Sequence, residues 1–133
     1  MKHCSVTGYA FDTERNDMKI LALDDDKFLL SILEDMLNRN DNQVVCIDNA
    51  KQAIAMVQND HYDFVLVDYK MPGNDGIWFM ENANLPRHTK VILMTAYADR
   101  NLINKMFTLG ISGYIIKPFD EEELIRNMTF HSK

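Results

Sequence analysis

The chain has 133 residues, 47% of them hydrophobic and 26% charged, with a formal charge of -6; this suits one domain able to bury about two-thirds of the surface its unfolded chain exposes. The acidic balance and the lack of any cluster of Lys and Arg exclude a general nucleic-acid-binding surface. No apolar run approaches a membrane span, Met1 to Asp17 are too polar to direct export, and Cys4 and Cys46 lack zinc or disulfide spacing, so the sequence predicts a soluble cytoplasmic protein.

Met1 to Asp17 lie outside any periodic pattern and are expected to form an N-terminal extension, loosely ordered or added upstream of a shorter product, ahead of a folded domain over 18–130. From Lys19 onward, apolar and amphipathic runs alternate five times, as repeated βα units around a parallel sheet do. The first strand is expected over Ile20 to Leu23, followed by Asp24-Asp25-Asp26. Asp26 is placed to cap a helix whose apolar stripe is Leu29, Ile32, Leu33, Met36 and Leu37. A second strand over Gln43 to Ile47 carries Cys46 as a small buried hydrophobe, and Ala50, Ala53, Ile54 and Val57 mark the second helix.

Phe64 to Val67 forms a continuous apolar run, as buried parallel strands do, and stops at Asp68. The third helix is short, Gly76 to Ala83, ahead of a break at Leu85-Pro86. The fourth strand, Val91 to Met94, leads to Thr95. Leu102, Ile103 and Met106 then mark a helix that ends at Gly110, where a left-handed cap suits glycine. The fifth strand, Gly113 to Ile116, precedes Lys117-Pro118, and Asp120 with Glu123 forms a capping box for a last helix through Leu124, Ile125 and Met128. The nine methionines fall mostly on apolar faces and read as core; His3, His61, His88 and His131 are scattered and read as exposed or locally bonded rather than as a ligand set.

Four features follow directly on the apolar runs of four different strands: the acidic triplet, Asp68, Thr95 and Lys117. In a parallel sheet those ends share one edge, where open α/β folds bind ligands. Asp24, Asp25 and Asp68 set three negative charges against the one positive charge of Lys117, and at an effective dielectric near 20 each like-charge pair about 4 Å apart costs about 4 kcal/mol. Such a group calls for a cation or a protonated carboxylate. One Mg²⁺ cancels the excess, since magnesium favours a few carboxylates with water or phosphate oxygens completing its shell. The set is suited to phosphoryl chemistry, in which a carboxylate is the nucleophile and an ammonium group stabilises the phosphoryl oxygens. Singly, each residue has a plainer reading: the acidic pair as a solvated turn, Asp68 as a loop start, Thr95 as a helix cap, Lys117 as a solvated lysine.

The motifs Ile20-Leu21-Ala22-Leu23-Asp24-Asp25-Asp26, Asp68-Tyr69-Lys70-Met71-Pro72-Gly73-Asn74-Asp75-Gly76, Met94-Thr95-Ala96 and Gly113-Tyr114-Ile115-Ile116-Lys117-Pro118-Phe119 together resemble the response-regulator receiver domain of two-component signalling, over Lys19 to about Thr129. The resemblance implies a flavodoxin-like (βα)5 three-layer sandwich with a parallel five-stranded sheet of order 2-1-3-4-5. It implies that Asp68 accepts a phosphoryl group from a sensor histidine kinase or phosphotransfer protein, in a domain that catalyses only its own phosphorylation and autodephosphorylation. Mg²⁺, with Mn²⁺ as a substitute, is then held by Asp25, Asp68 and the backbone carbonyl of Lys70, with Asp24 acting mainly through metal-bound water. Lys117 contacts the phosphoryl oxygens, Thr95 supplies a hydroxyl contact when Asp68 is modified, and Tyr114 turns inward. The family often has a cis Lys-Pro bond at the position of Lys117-Pro118, and the positions of Lys70 and Tyr97 tune phosphate lifetime.

Ile111-Ser112-Gly113 precede Tyr114 where relatives with winged-helix output usually carry acidic residues, which argues against their salt-bridged dimer; a phosphorylation-dependent homodimer of another kind stays open. The chain ends soon after the last helix, so it is expected either to work alone or to be part of a longer protein, with an unknown output partner. The rival reading is a haloacid-dehalogenase-like phosphatase, with Asp24 of Leu23-Asp24-Asp25-Asp26 as nucleophile; it lacks a convincing later acidic motif. A flavodoxin is disfavoured because three aspartates in the first loop would repel a phosphate.

Overall fold

The computed structural model describes residues 17–71, 73 and 75–132. The proposed extension therefore lies almost wholly outside the described residues, as does Cys4.

Five strands alternate with five helices: β1 Lys19–Leu23, α1 Lys27–Arg39, β2 Gln43–Ile47, α2 Ala50–Asn59, β3 Phe64–Asp68, α3 Gly76–Asn82, β4 Lys90–Thr95, α4 Arg100–Leu109, β5 Gly113–Ile116 and α5 Glu121–His131. All neighbouring strands pair in parallel, in the order β2-β1-β3-β4-β5. This is the flavodoxin-like three-layer sandwich that the motifs imply.

Alternation along the central strands divides the core into two layers. Leu21, Leu23, Val65, Val67, Val91 and Leu93 face one way, against Ala53, Phe79, Met80, Leu102 and Met106 of α2, α3 and α4. Ile20, Ala22, Phe64, Leu66, Ile92 and Met94 face the other way, against Leu30, Leu33, Leu37, Leu124 and Met128 of α1 and α5. With helices on both faces, β1, β3 and β4 are buried along nearly their whole length, which is why they read as unbroken apolar runs. Six of the methionines, Met18, Met71, Met80, Met94, Met106 and Met128, are core residues.

Two local readings shift. The buried stripe of α1 runs through Leu30, Leu33 and Leu37 rather than through Ile32, with Leu29 and Met36 at its margin. Cys46 is half-buried, because β2 is an edge strand with no fully covered residue; burial still pushes its thiol up to about 11, an unreactive value.

The helix ends hold as local chemistry dictates. Asp26 caps α1 by accepting from the N–H groups of Phe28 and Leu29 at 3.0 and 3.1 Å. Asp120 and Glu123 form the expected capping box on α5. Gly110 closes α4 with φ of 114°, a conformation that favours glycine. Asn49, Asp75 and Asp99 cap α2, α3 and α4. The cap of α4 is therefore Asp99, and Thr95 has another task.

Candidate functional site

Pairing register brings the polar residues together. Leu23 is opposite Val67, so Asp24 and Asp68 emerge side by side at the carboxyl ends of β1 and β3. Thr95 pairs with Ile116, which places Lys117 one residue beyond the same edge. The Lys117 backbone N–H donates to the Thr95 carbonyl at 2.8 Å and fixes this corner; the Lys117-Pro118 peptide bond is cis.

From there the Lys117 side chain reaches back across β4. Its Nζ donates to Asp24 Oδ2 at 2.8 Å and to Asp68 Oδ1 at 3.0 Å. Asp24 is fully buried, and its Oδ1 accepts from the Asp26 N–H at 2.9 Å, so both oxygens are engaged. Asp25 is exposed beside them. Carboxylate oxygens of Asp24, Asp25 and Asp68 lie within 4.8 Å of one another.

The electrostatics follow from that geometry. Burial pushes the Asp68 carboxyl up to about 6, aided by the neighbouring Asp24 and Asp25 charges, while Lys117 holds it down. Burial pulls the Lys117 ammonium down, but its contacts with Asp24 and Asp68 outweigh that and leave it above its ordinary value. One ammonium shared by two carboxylates leaves negative charge in the cleft. An all-oxygen donor set with that excess matches a hard divalent cation, and the three carboxylates fit magnesium.

Thr95 is 1% exposed at the end of β4. Its hydroxyl oxygen accepts from the Tyr97 N–H at 3.0 Å and lies 3.2 Å from the Tyr97 carbonyl, so it serves the loop that follows rather than the acidic cluster. Tyr114, opposite Leu93 on β5, turns outward, 38% exposed, and packs edge-on against Phe107 of α4 at 6.3 Å between ring centres. Lys70 is exposed, two residues beyond Asp68.

Sequence reasoning missed the role of Gly76. A Cβ there would sit 2.6 Å from the Asp68 carbonyl oxygen, because the start of α3 folds against the end of β3 and the Gly76 N–H bonds to the Tyr69 carbonyl at 2.9 Å. Its place directly after a capping aspartate was the available signal.

Fold and site together define a doubly wound α/β domain with a cluster of three carboxylates and a part-buried lysine at the carboxyl edge of its sheet. The family model described as response regulator receiver domain matches residues 20–129, and the chain belongs to that family. It is 34% identical over 107 residues to sporulation initiation phosphotransferase F of Bacillus subtilis, covering 80% of this chain and 86% of that protein. It is 31% identical over 112 residues to the transcriptional regulatory protein ResD of the same organism, covering 84% of this chain and 47% of that longer protein. A receiver domain of a Pseudomonas aeruginosa sensor histidine kinase, solved with a magnesium ion coordinated in its active site cleft, superposes with a TM-score of 0.75 and 25% identity, covering 88% of this chain and 99% of that one. The protein is thus a receiver domain of two-component response regulators, and receiver domains are signalling domains. Nothing in these similarities supports the phosphatase reading, and Asp24, enclosed with both oxygens bonded, is poorly placed for nucleophilic attack. No helix among the described residues is long and apolar enough to cross a membrane.

Proposed function

We propose that Asp68 is the phosphoacceptor of a domain over 18–130, that the donor is a phosphohistidine on a sensor kinase or phosphotransfer protein, and that the domain works in the cytoplasm. The observation that carries this is the Asp68 carboxylate at the sheet edge, with one oxygen bonded to Lys117 Nζ at 3.0 Å. An Asp68 oxygen attacks phosphorus, the P–N bond of the donor breaks, and the electron pair leaves with the imidazole nitrogen. With a carboxyl pushed up to about 6, Asp68 is mostly ionised near pH 7 and competent to attack.

Asp24, Asp25, Asp68 and the Lys70 carbonyl would hold Mg²⁺, or Mn²⁺ in its place, Asp24 mainly through water. When bound, the metal supplies positive charge to the phosphoryl oxygens. Lys117 is already within reach of the acceptor and is the group that follows the charge onto the phosphoryl. Phosphorylation adds about -1.5 to -2 charge and three acceptor oxygens; Thr95 then exchanges its Tyr97 contact for the phosphoryl group, and Tyr114 leaves Phe107 and turns inward. That rearranged surface is what an output partner, or a second copy of the chain, would read. Lys70 and Tyr97, beside the acceptor and the switch, set phosphate lifetime.

The test is incubation with Mg²⁺ and acetyl phosphate followed by intact-mass measurement. One phosphoryl group is expected on the wild type and none on Asp68→Asn. Equal labelling of both would remove Asp68 as the acceptor.

A further inference from the structure

The opposite edge of the sheet carries a cluster that phosphoryl chemistry does not use. β3 and β4 run in parallel with Phe64 opposite Lys90, so the connections leading into them lie side by side and bring together His61, three residues before Phe64, and His88, two before Lys90. His61 Nδ1 and His88 Nε2 are 3.1 Å apart, with ring centres separated by 4.8 Å. On its other side, His61 Nε2 is 3.1 Å from Asp63 Oδ1. The scattered histidines of the sequence are therefore, in part, a pair.

The chemistry is directional. A carboxylate oxygen accepts, so the neutral His61 ring carries its proton on Nε2, and the Nδ1 lone pair points at His88. With His61 in that tautomer, His88 Nε2 is the donor between the rings. Two imidazole nitrogens on a tetrahedral zinc, each at 2.0–2.1 Å, stand about 3.3 Å apart, close to the spacing found. A metal that displaces that bridging proton would sit about 1.3 Å off the line between the two nitrogens, so both rings must tilt towards it, with the proton moved to His88 Nδ1. Asp63 is itself fixed, since its Oδ2 accepts from the Lys19 backbone N–H at 2.8 Å. A carboxylate held against the far nitrogen of a ligating histidine sets the tautomer and the ring plane, as in many metal sites.

The surrounding charge permits a cation. Asp60 lies beside His61, whose backbone N–H donates to its Oδ1 at 2.8 Å. Lys19 is paired with Asp60, Lys90 lines a cavity with His88 and Asp63, and Arg87 directly precedes His88 in the chain, so Arg87 and Lys90 are the charges that oppose a cation there. We propose that His61 and His88 form a two-histidine site for an imidazole-binding divalent metal such as zinc, with Asp63 holding the His61 ring and water completing the shell. The site takes nitrogen ligands, unlike the all-oxygen cluster at the other edge, and so selects a different class of ion. Its occupation would staple the two connections that lead into β3 and β4.

The experiment is a zinc titration of the full chain with magnesium in excess to fill the acidic cluster, followed by NMR of the four histidine rings. The expected result is that His61 and His88 resonances move together and saturate at one zinc per chain at micromolar concentration. His88→Gln, an exposed substitution with intact fold checked by circular dichroism, is expected to weaken binding by about tenfold or more, and Asp63→Asn by about tenfold. Unmoved or independently moving His61 and His88 signals, saturation only at millimolar zinc, or unchanged affinity in His88→Gln would each overturn the proposal.

Discussion

Replacing Asp68 by asparagine should stabilise the metal-free protein at neutral pH. The wild-type carboxyl is pushed from an ordinary value of 3.8 up to about 6, chiefly by burial. Its folded-state pKa lies above its unfolded value, so the protonated form favours folding. That contribution is fully present below about pH 4 and is lost as pH rises through 6. About two pKa units at about 1.4 kcal/mol each give at most about 3 kcal/mol that the ionised residue forgoes above pH 7. The attraction of Lys117 is already contained in this figure, because it holds the pKa down against burial. Asparagine keeps an acceptor for Lys117 and has no charge to bury. Urea denaturation in EDTA from pH 4 to 8 should show the variant and wild type nearly equal at the acid end, with the gap opening between pH 4 and 6 and reaching at most about 3 kcal/mol above pH 7. Saturating Mg²⁺ should narrow it, since a ligand at 100 times its dissociation constant adds about 2.7 kcal/mol to the state that binds it. Equal stabilities at pH 8, or a gap that widens towards acid, would refute the reasoning.

Lys117→Met leaves the fully buried Asp24 without its ammonium partner and should cost about 3 kcal/mol in metal-free denaturation, the lower end for breaking a buried pair because Lys117 is partly exposed; Mg²⁺ should restore part of this. Gly76→Ala forces a methyl against the Asp68 carbonyl and should cost about 1–3 kcal/mol in urea denaturation, with a weakened Mg²⁺ response because the end of β3 must move.

Much of the fold was legible because its signals are local or periodic. The apolar runs of β3 and β4, the caps at Asp26 and Asp120 and the left-handed Gly110 each follow from a few adjacent residues. The convergence of Asp24, Asp68, Thr95 and Lys117 was legible for a topological reason, since parallel strands place their carboxyl ends on one edge. What escaped was three-dimensional. A count of charges treats Lys117 as one positive unit, whereas the fold lays it between Asp24 and Asp68, across β4. Cys46 read as buried because composition does not distinguish an edge strand from a central one. Ile32 fits the helical period of α1, yet the sheet meets that helix on the Leu30 side. The contact of Gly76 with the Asp68 carbonyl and the meeting of His61 with His88 depend on how separate connections lie against one another, and no spacing in the chain encodes them.

The central claim is that Asp68, among three clustered aspartates, takes the phosphoryl group. After incubation with Mg²⁺ and a phosphodonor, borohydride reduction of the acyl phosphate and peptide sequencing by mass spectrometry should find the reduced residue at Asp68, with Asp24 and Asp25 unchanged; reduction at Asp24 or Asp25 with Asp68 intact would contradict it.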